Sequence, residues 1–277
     1  SSPMYEFIFT ENHRCITVHN RKKDIQVTTA GEINANYSFL TSAGYKDDAH
    51  KFLISNWFVK LCAWILTEGC YRKDGSIVIV QSITHNPEYV KTIDRLLKNS
   101  PYLVNRCIYN DIVRWKINKE LAILVRHMMP DKCPSYDFVM KMRNSQRRLF
   151  LYECLRGDGF YGGSMPEKDG IKRNRDFWLN RRYDNDVEGK ITPRFTAKRK
   201  KHIDVLQMMA TMVGIETHIR TKRQKNGEAY DLSFIDKNKI NTGRMKKQKI
   251  TADGVWCPKT STGAWVMRRH GIVLITG

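Results

Sequence analysis

Acidic residues are scarce in this chain of 277: 28 Asp and Glu stand against 48 Lys and Arg, a formal charge of +20 at pH 7. Such a surplus points to a polyanionic partner, because each Lys or Arg set on a phosphate releases a condensed counterion. Long hydrophobic runs are missing as well. The longest apolar stretches, such as Trp57 to Leu66, fall well short of the roughly 20 residues of a membrane span, and no charged-then-apolar leader opens the chain. Neither membrane insertion nor secretion is expected. Paired cysteine spacing is also absent. Cys15, Cys62, Cys70, Cys107, Cys133, Cys154 and Cys257 are odd in number and scattered, and the eight histidines show no metal-ligand spacing. A zinc module and a disulfide-stapled secreted domain are thereby excluded, and reduced thiols of a cytoplasmic protein are predicted.

At 41% hydrophobic residues the chain can fill a core, and its length suits one large domain or two of ordinary size. Ser1-Ser2-Pro3 reads as a leftover ahead of a natural start at Met4. Short β-type runs, Tyr5 to Phe9 and Cys15 to Val18, lead to about Ile33. Near Asp47 the period changes: Trp57, Leu61, Trp64, Ile65 and Glu68 fall at helical spacing up to Gly69. A strand from Ser76 to Gln81, a helix opened by Asn86-Pro87, a strand pair between Leu103 and Ile117 and a helix from Leu121 to Met128 follow. From Ser145 the same order restarts, with a helix from about Gln146 to Gly157-Asp158-Gly159. Basic strands come next, then a helix from Lys201 to Val213, and strands from Glu216 to Lys222 and Tyr230 to Ile235. The chain therefore contains an internal repeat. We expect an α+β fold in which residues 56–245 form two αββαββα-type repeats, 56–145 and 146–245. Residues 4–55 and 246–277 supply the two parts of a small all-β unit.

Each repeat opens with an apolar helix closed by an acid and a glycine: Leu61-Cys62-Ala63-Trp64-Ile65-Leu66-Thr67-Glu68-Gly69 and Leu151-Tyr152-Glu153-Cys154-Leu155-Arg156-Gly157-Asp158-Gly159. If the two helices pack side by side about a pseudo-twofold axis, Glu68 and Asp158 meet at their lower ends. Two juxtaposed carboxylates stay ionised cheaply only with a cation between them, so divalent metal is the expected occupant. Such metals activate water and steady the attacking and leaving oxygens of a phosphodiester. Taken singly, each segment also reads as a core helix with an ordinary acid-glycine end.

These segments resemble the two-motif, single-chain LAGLIDADG homing endonucleases over roughly residues 56–245. The motif's early glycine is replaced by Ala63 and Glu153, which makes close helix packing less ideal, while both acidic positions are intact. The resemblance implies site-specific cutting of double-stranded DNA by a monomer with Mg²⁺ or Mn²⁺ on Glu68 and Asp158. It further implies an assisting lysine in each half, Lys132 and Lys237, with Lys239 as a shifted alternative to the second.

Residues 164–250 hold 22 Lys and Arg against 11 Asp and Glu, so about half of the surplus lies there. Basic residues alternating along a strand share one face, as Arg194, Thr196 and Lys198 do, and likewise Arg220 and Lys222. By the resemblance these β-ribbons face DNA. Expected contacts are Ser76, Val78, Gln81, Arg106, Arg114 and Lys116 in the first half. In the second they are Lys172, Arg173, Arg175, Arg194, Lys198, Arg220 and Lys222. The run Lys198-Arg199-Lys200-Lys201 reads either as phosphate-binding or as a solvated helix start.

Both ends of the chain resemble intein blocks. Thr10-Glu11-Asn12-His13 and Thr28 to Ile33 match the threonine-to-histidine block and its downstream strand. Val255-Trp256-Cys257-Pro258, Trp265 to Gly271 and Ile272 to Gly277 match the C-terminal blocks. The resemblance implies a Hint-like splicing domain, microbial or phage-encoded, with Thr10, His13 and Cys257 as its site residues. The opening nucleophile and the terminal Asn of that family are not matched. This chain is therefore expected not to splice alone: it reads either as a trimmed intein or as the larger C-terminal piece of a split intein whose N-terminal fragment is a separate chain. The alternative function is a splicing element whose insert binds DNA without cutting.

Overall fold

The computed structural model describes residues 6–44, 54–161, 193–224, 227–235, 238–251, 253–254 and 257–277. Helix α1 (Asn56–Glu68) starts at Ser55, whose side chain accepts from the Phe58 amide at 3.2 Å, satisfying one of the orphan donors of a first turn. Strands β4 (Gly69–Tyr71) and β5 (Ile77–Ser82), helix α2 (Pro87–Lys98), strands β6 (Val104–Tyr109) and β7 (Ile112–Ile117) and helix α3 (Lys119–Met128) complete the first half. Its sheet runs β4-β5-β7-β6, all antiparallel. Strand β7 shows why one face is core: Val113, Trp115 and Ile117 are buried, while Arg114 and Lys116 between them are exposed, as the period of two requires when only one face is covered.

The second half follows the short helix α4 (Tyr136–Lys141). Helix α5 (Asn144–Asp158), strands β8 (Gly159–Tyr161) and β9 (Pro193–Ala197), helix α6 (Lys200–Met212), and strands β10 (Glu216–Gln224) and β11 (Gly227–Ile235) appear in the same order. The pairing order, β8-β9-β11-β10, is that of the first sheet. The repeat read in the sequence is thus a repeat of topology.

Helices α1 and α5 pack on each other and carry the main core on both flanks. Eight of the thirteen α1 residues are buried, because the helix is covered by its own sheet and by α5. Each fully buried large aliphatic there contributes about 1.5–3 kcal/mol. The helices are in close contact at Gly157, where a Cβ would lie 2.7 Å from Thr67 Oγ1. The departures from the small-residue pattern have a structural use. Trp64 Nε1 donates to Glu153 Oε2 at 3.0 Å across the seam, and Arg156 lies 3.8 Å from the same carboxylate. Burial raises the Glu153 pKa; Arg156, Lys60 and the Trp64 bond pull it back.

A carboxylate whose folded pKa is raised costs stability as pH climbs from its unfolded value through the folded one. Glu153→Gln is accordingly expected to match or exceed wild-type stability at pH 7.5 and to lose that gain near pH 4.5. Glu153→Ala instead orphans a buried indole N–H and costs about 2 kcal/mol. Thermal melts of both variants across pH check this, and equal destabilisation by both would overturn it.

Both chain ends meet in a second, smaller core of Cys15, Ile33, Phe39 and Leu274. Strands β1 (Arg14–His19), β2 (Ile25–Thr29) and β3 (Tyr37–Leu40) come from the start of the chain. Strands β12 (Lys239–Asn241), β13 (Trp265–Arg269) and β14 (Ile272–Thr276) come from its end. Cys15 pairs with Thr276, joining β1 to β14. Two expectations need correction. Residues 6–9 are irregular rather than a strand, and Phe7 and Phe9 pack as rings on Phe39. Lys239–Asn241, grouped with the central unit, pairs with β3 of the opposite chain end. The β frame is also continuous with the second sheet, through His218 opposite Ile272.

Candidate metal and nucleic-acid site

Glu68 and Asp158 end α1 and α5, and the cap amides of Gly69 and Gly159 still bond to Ile65 O and Leu155 O as the chain turns into β4 and β8. Among the described residues neither carboxylate has a hydrogen-bond or ion-pair partner. Burial pushes Glu68 up to about 7, with Asp158 adding to the rise and Lys132 opposing it. Asp158 is exposed, yet partial desolvation raises its pKa too, again opposed by Lys132. Lys132 is lowered by burial and pushed back up by Asp158 and then Glu68. The three groups therefore share one electrostatic site.

A cleft of about 830 Å³ opens beside them, lined by Asp158, Lys132 and Thr67 and, from the second half, by Lys198, Arg199 and His202. Lys132 Nζ donates to Thr67 O at 3.4 Å, so the ammonium leans on the end of α1. His202 is pressed down to about 4, chiefly by burial and then by Arg199 and Lys132. Two desolvated carboxylates without protein donors fit a hard divalent cation, whose shell water, backbone carbonyls and a substrate's phosphate oxygens can complete. The described residues contain no cluster of three or more His, Cys, Asp or Glu suited to a metal.

Strand register decides which expected contacts are presented. On the first sheet Val78, Arg114 and Lys116 share the face opposite the core. Arg114 is exposed and without an ion pair among the described residues; Lys116 is exposed, 3.7 Å from Asp74. Ser76 donates to that same Asp74 at 2.7 Å. Three expectations fail here. Gln81 follows Ile77 and Ile79 onto the core face, is buried, and accepts from Asn86 Nδ2 at 3.0 Å, bracing a turn. Val78, though on the outer face, is buried as well. Arg106 points to the helix layer, where Asp94 on α2 accepts from its Nε at 2.8 Å and its Nη2 at 3.2 Å. These residues had been picked by type, and the pleat sorts by parity.

On the second sheet Arg194, Thr196, Arg220 and Lys222 share the outer face. Buried Asp231 organises part of it, accepting from Thr196 at 2.8 Å and pairing with Lys222. Arg220 and Lys198 are exposed. The basic run at the head of α6 is not uniformly solvated: Lys200 bonds Asp204 at 2.8 Å, and Arg199 donates to Asp131 O at 2.9 Å. Lys172, Arg173, Arg175 and Lys237 lie outside the described residues. Of the cleft residues, Thr67 stands in the first motif and Arg199 in the basic run, whereas Tyr71, Arg126 and His202 are not singled out by the sequence. Only Tyr71, two places beyond a motif acid's glycine, carried a positional signal.

At the frame, His13 Nε2 lies 2.7 Å from Thr276 Oγ1 and its amide bonds Thr10 O at 3.0 Å. Cys257 is exposed and makes no described contact with that pair. Thr10 is exposed.

No known protein family and no curated protein sequence matches the chain. Among solved structures, mesophilic variants of the homing endonuclease I-DmoI are similar with a TM-score of 0.42 at 11% identity, over 65% of this chain and 88% of that one. The N-terminal LAGLIDADG domain of DUF199/WhiA gives 0.37 at 11%, over 66% and 78%. The homing endonuclease I-WcaI bound to its DNA recognition sequence gives 0.36 at 13%, over 66% and 78%. Likeness at these scores carries no argument about the site, which stands on its own geometry.

Proposed function

We propose that the chain is a metal-dependent, site-specific double-strand DNA endonuclease of the LAGLIDADG type, acting as a monomer inside the cell and set in an intein-like β frame. One observation carries the reading: half-buried Glu68 and exposed Asp158, one from each copy of a repeated unit, share one electrostatic site with Lys132 and have no hydrogen-bond or ion-pair partner among the described residues. Held there, Mg²⁺ or Mn²⁺ would supply Lewis-acid activation of water and neutralise charge at the scissile phosphate. Lys132 Nζ, resting on Thr67 O and electrostatically coupled to both carboxylates, holds a proton that can be given to or withheld from the reacting oxygens. Arg114, Lys116, Arg194, Lys198 and Arg220 offer phosphate and base-edge donors along two outer sheet faces. Because both acids belong to one chain, no second copy is needed.

Incubation of a randomised duplex library with the protein and Mg²⁺, followed by sequencing of new ends, tests the reading. The expected result is cutting at one family of related sites, abolished by EDTA. Binding without cutting at any site would overturn it and leave a second reading, a splicing element completed by a separate N-terminal fragment. The contact between His13 and Thr276 favours that second reading, since it joins the block histidine to the last strand.

A further inference from the structure

We propose that Arg199, at the head of α6 in the second half, is a positioning residue for Lys132 of the first half, acting through the turn that carries the lysine; the proposal deepens the nuclease reading and rests on it. Asp131 and Lys132 are consecutive non-glycine residues at φ 53° and 64°. Side chains rarely adopt that region, and two in a row persist only where the surroundings hold them. Contacts from both halves do so, among them a bond of the His202 ring to the Asp131 backbone and Cys133 Sγ donating to Lys201 O at 3.7 Å. Tyr71 OH donates to Met129 O at 2.8 Å from the first half, and Arg199 Nη1 donates to Asp131 O at 2.9 Å from the second. Within the turn itself Lys132 N reaches Met129 O at 3.2 Å and Cys133 N reaches Pro130 O at 3.0 Å.

With the turn so held, the lysine stem enters the cleft and Nζ rests on Thr67 O. An arginine from a run that reads either as phosphate-binding or as a solvated helix start is thus committed, by one donor, to a backbone carbonyl of the other half. Loss of that donor lets the turn relax toward ordinary φ, which withdraws Nζ from the carboxylates. No change in net charge at Lys132 is needed.

The test compares Arg199→Ala, Arg199→Lys, Lys132→Ala and the double variant R199A/K132A on the selected duplex under single turnover. R199A is expected to slow cutting of bound DNA by about 10–100-fold while duplex affinity, measured in EDTA, changes by less than about threefold. The double variant should be no slower than K132A, as a shared pathway requires. R199K, which keeps a donor, should recover part of the rate. Additive losses, or weakened affinity with an unchanged rate, would identify Arg199 as a direct phosphate contact and overturn the proposal.

Hydrogen exchange gives a readout independent of cutting. The Lys132 and Cys133 amides should exchange at least about fivefold faster in R199A while the amides of α1 and α5 stay protected. Unchanged exchange at the turn sinks the clamp even if the nuclease reading stands; faster exchange in a protein that cuts nothing sinks the nuclease reading alone. Where R199A loses α1 and α5 protection as well, R199K carries the same comparison.

Discussion

Glu68→Gln and Asp158→Asn are each expected to lower double-strand cutting by at least about a thousandfold, or about 4 kcal/mol in the barrier, while the duplex binds as well as before or better. Both swaps keep shape and hydrogen-bonding capacity and remove one negative charge from a cleft meant for phosphates. The stability response has the opposite sign. Glu68 is held at about 7 in the folded chain, mainly by burial and then by Asp158, above an unfolded value near 4.3. Between those values the folded state binds the extra proton, so stability of the metal-free protein falls as pH rises through the window. E68Q escapes that loss: its melting temperature in EDTA should exceed the wild type's at pH 8 and coincide with it near pH 4. A variant that is more stable and inactive marks a group retained for chemistry. Mg²⁺ should raise the wild-type melting temperature at pH 8 and leave both variants nearly unmoved. Undiminished cutting by either variant would remove these carboxylates from the mechanism.

What the sequence made legible follows from which forces are local. Periodicity placed α1, α2, α3 and α5 because their apolar spacing, with the end signals Asn86-Pro87 and Gly69, is written in consecutive positions. The repeat was legible because its two copies share element order, and the structure repeats that order in both sheets. Side-chain direction was less so. Gln81 and Arg106 were lost to strand parity, which depends on where pairing begins rather than on residue type. Glu153 looked like a packing defect; only the register of α5 against α1 reveals that Trp64 Nε1 needs it. The Lys132 turn was hidden for the same reason, since its φ values are imposed by Tyr71 and Arg199, one far upstream and one far downstream. The frame fared similarly: short strands were evident, but that Lys239–Asn241 pairs with Tyr37–Leu40 is a long-range choice.

The glycines behind the two acids set the second large effect: Gly159→Ala and Gly69→Ala should each cost on the order of 3 kcal/mol and displace the carboxylate before them. Neither site has a positive φ; the cause is crowding. The chain turns from helix to strand while the glycine amide still reaches the carbonyl four residues back, so that carbonyl occupies the space a side chain would need. A Cβ at Gly159 would lie 2.1 Å from Leu155 O, and one at Gly69 would lie 2.5 Å from Ile65 O. Both obstacles are backbone and cannot rotate away, so relief requires breaking the cap bond and letting the last helical turn fray. Asp158 and Glu68 sit on that turn. The cost should therefore appear twice, as a lower denaturation midpoint and as a slower cut by whatever folded protein remains. Gly157→Ala provides the contrast, because its obstacle is the Thr67 side chain, first met at 2.7 Å. Thr67→Ala should recover part of that loss and none of the loss at Gly159. Denaturant titration of the three alanine variants with and without Thr67→Ala measures the difference; a wild-type midpoint for Gly159→Ala would mean that the helix end is not closed by this bond.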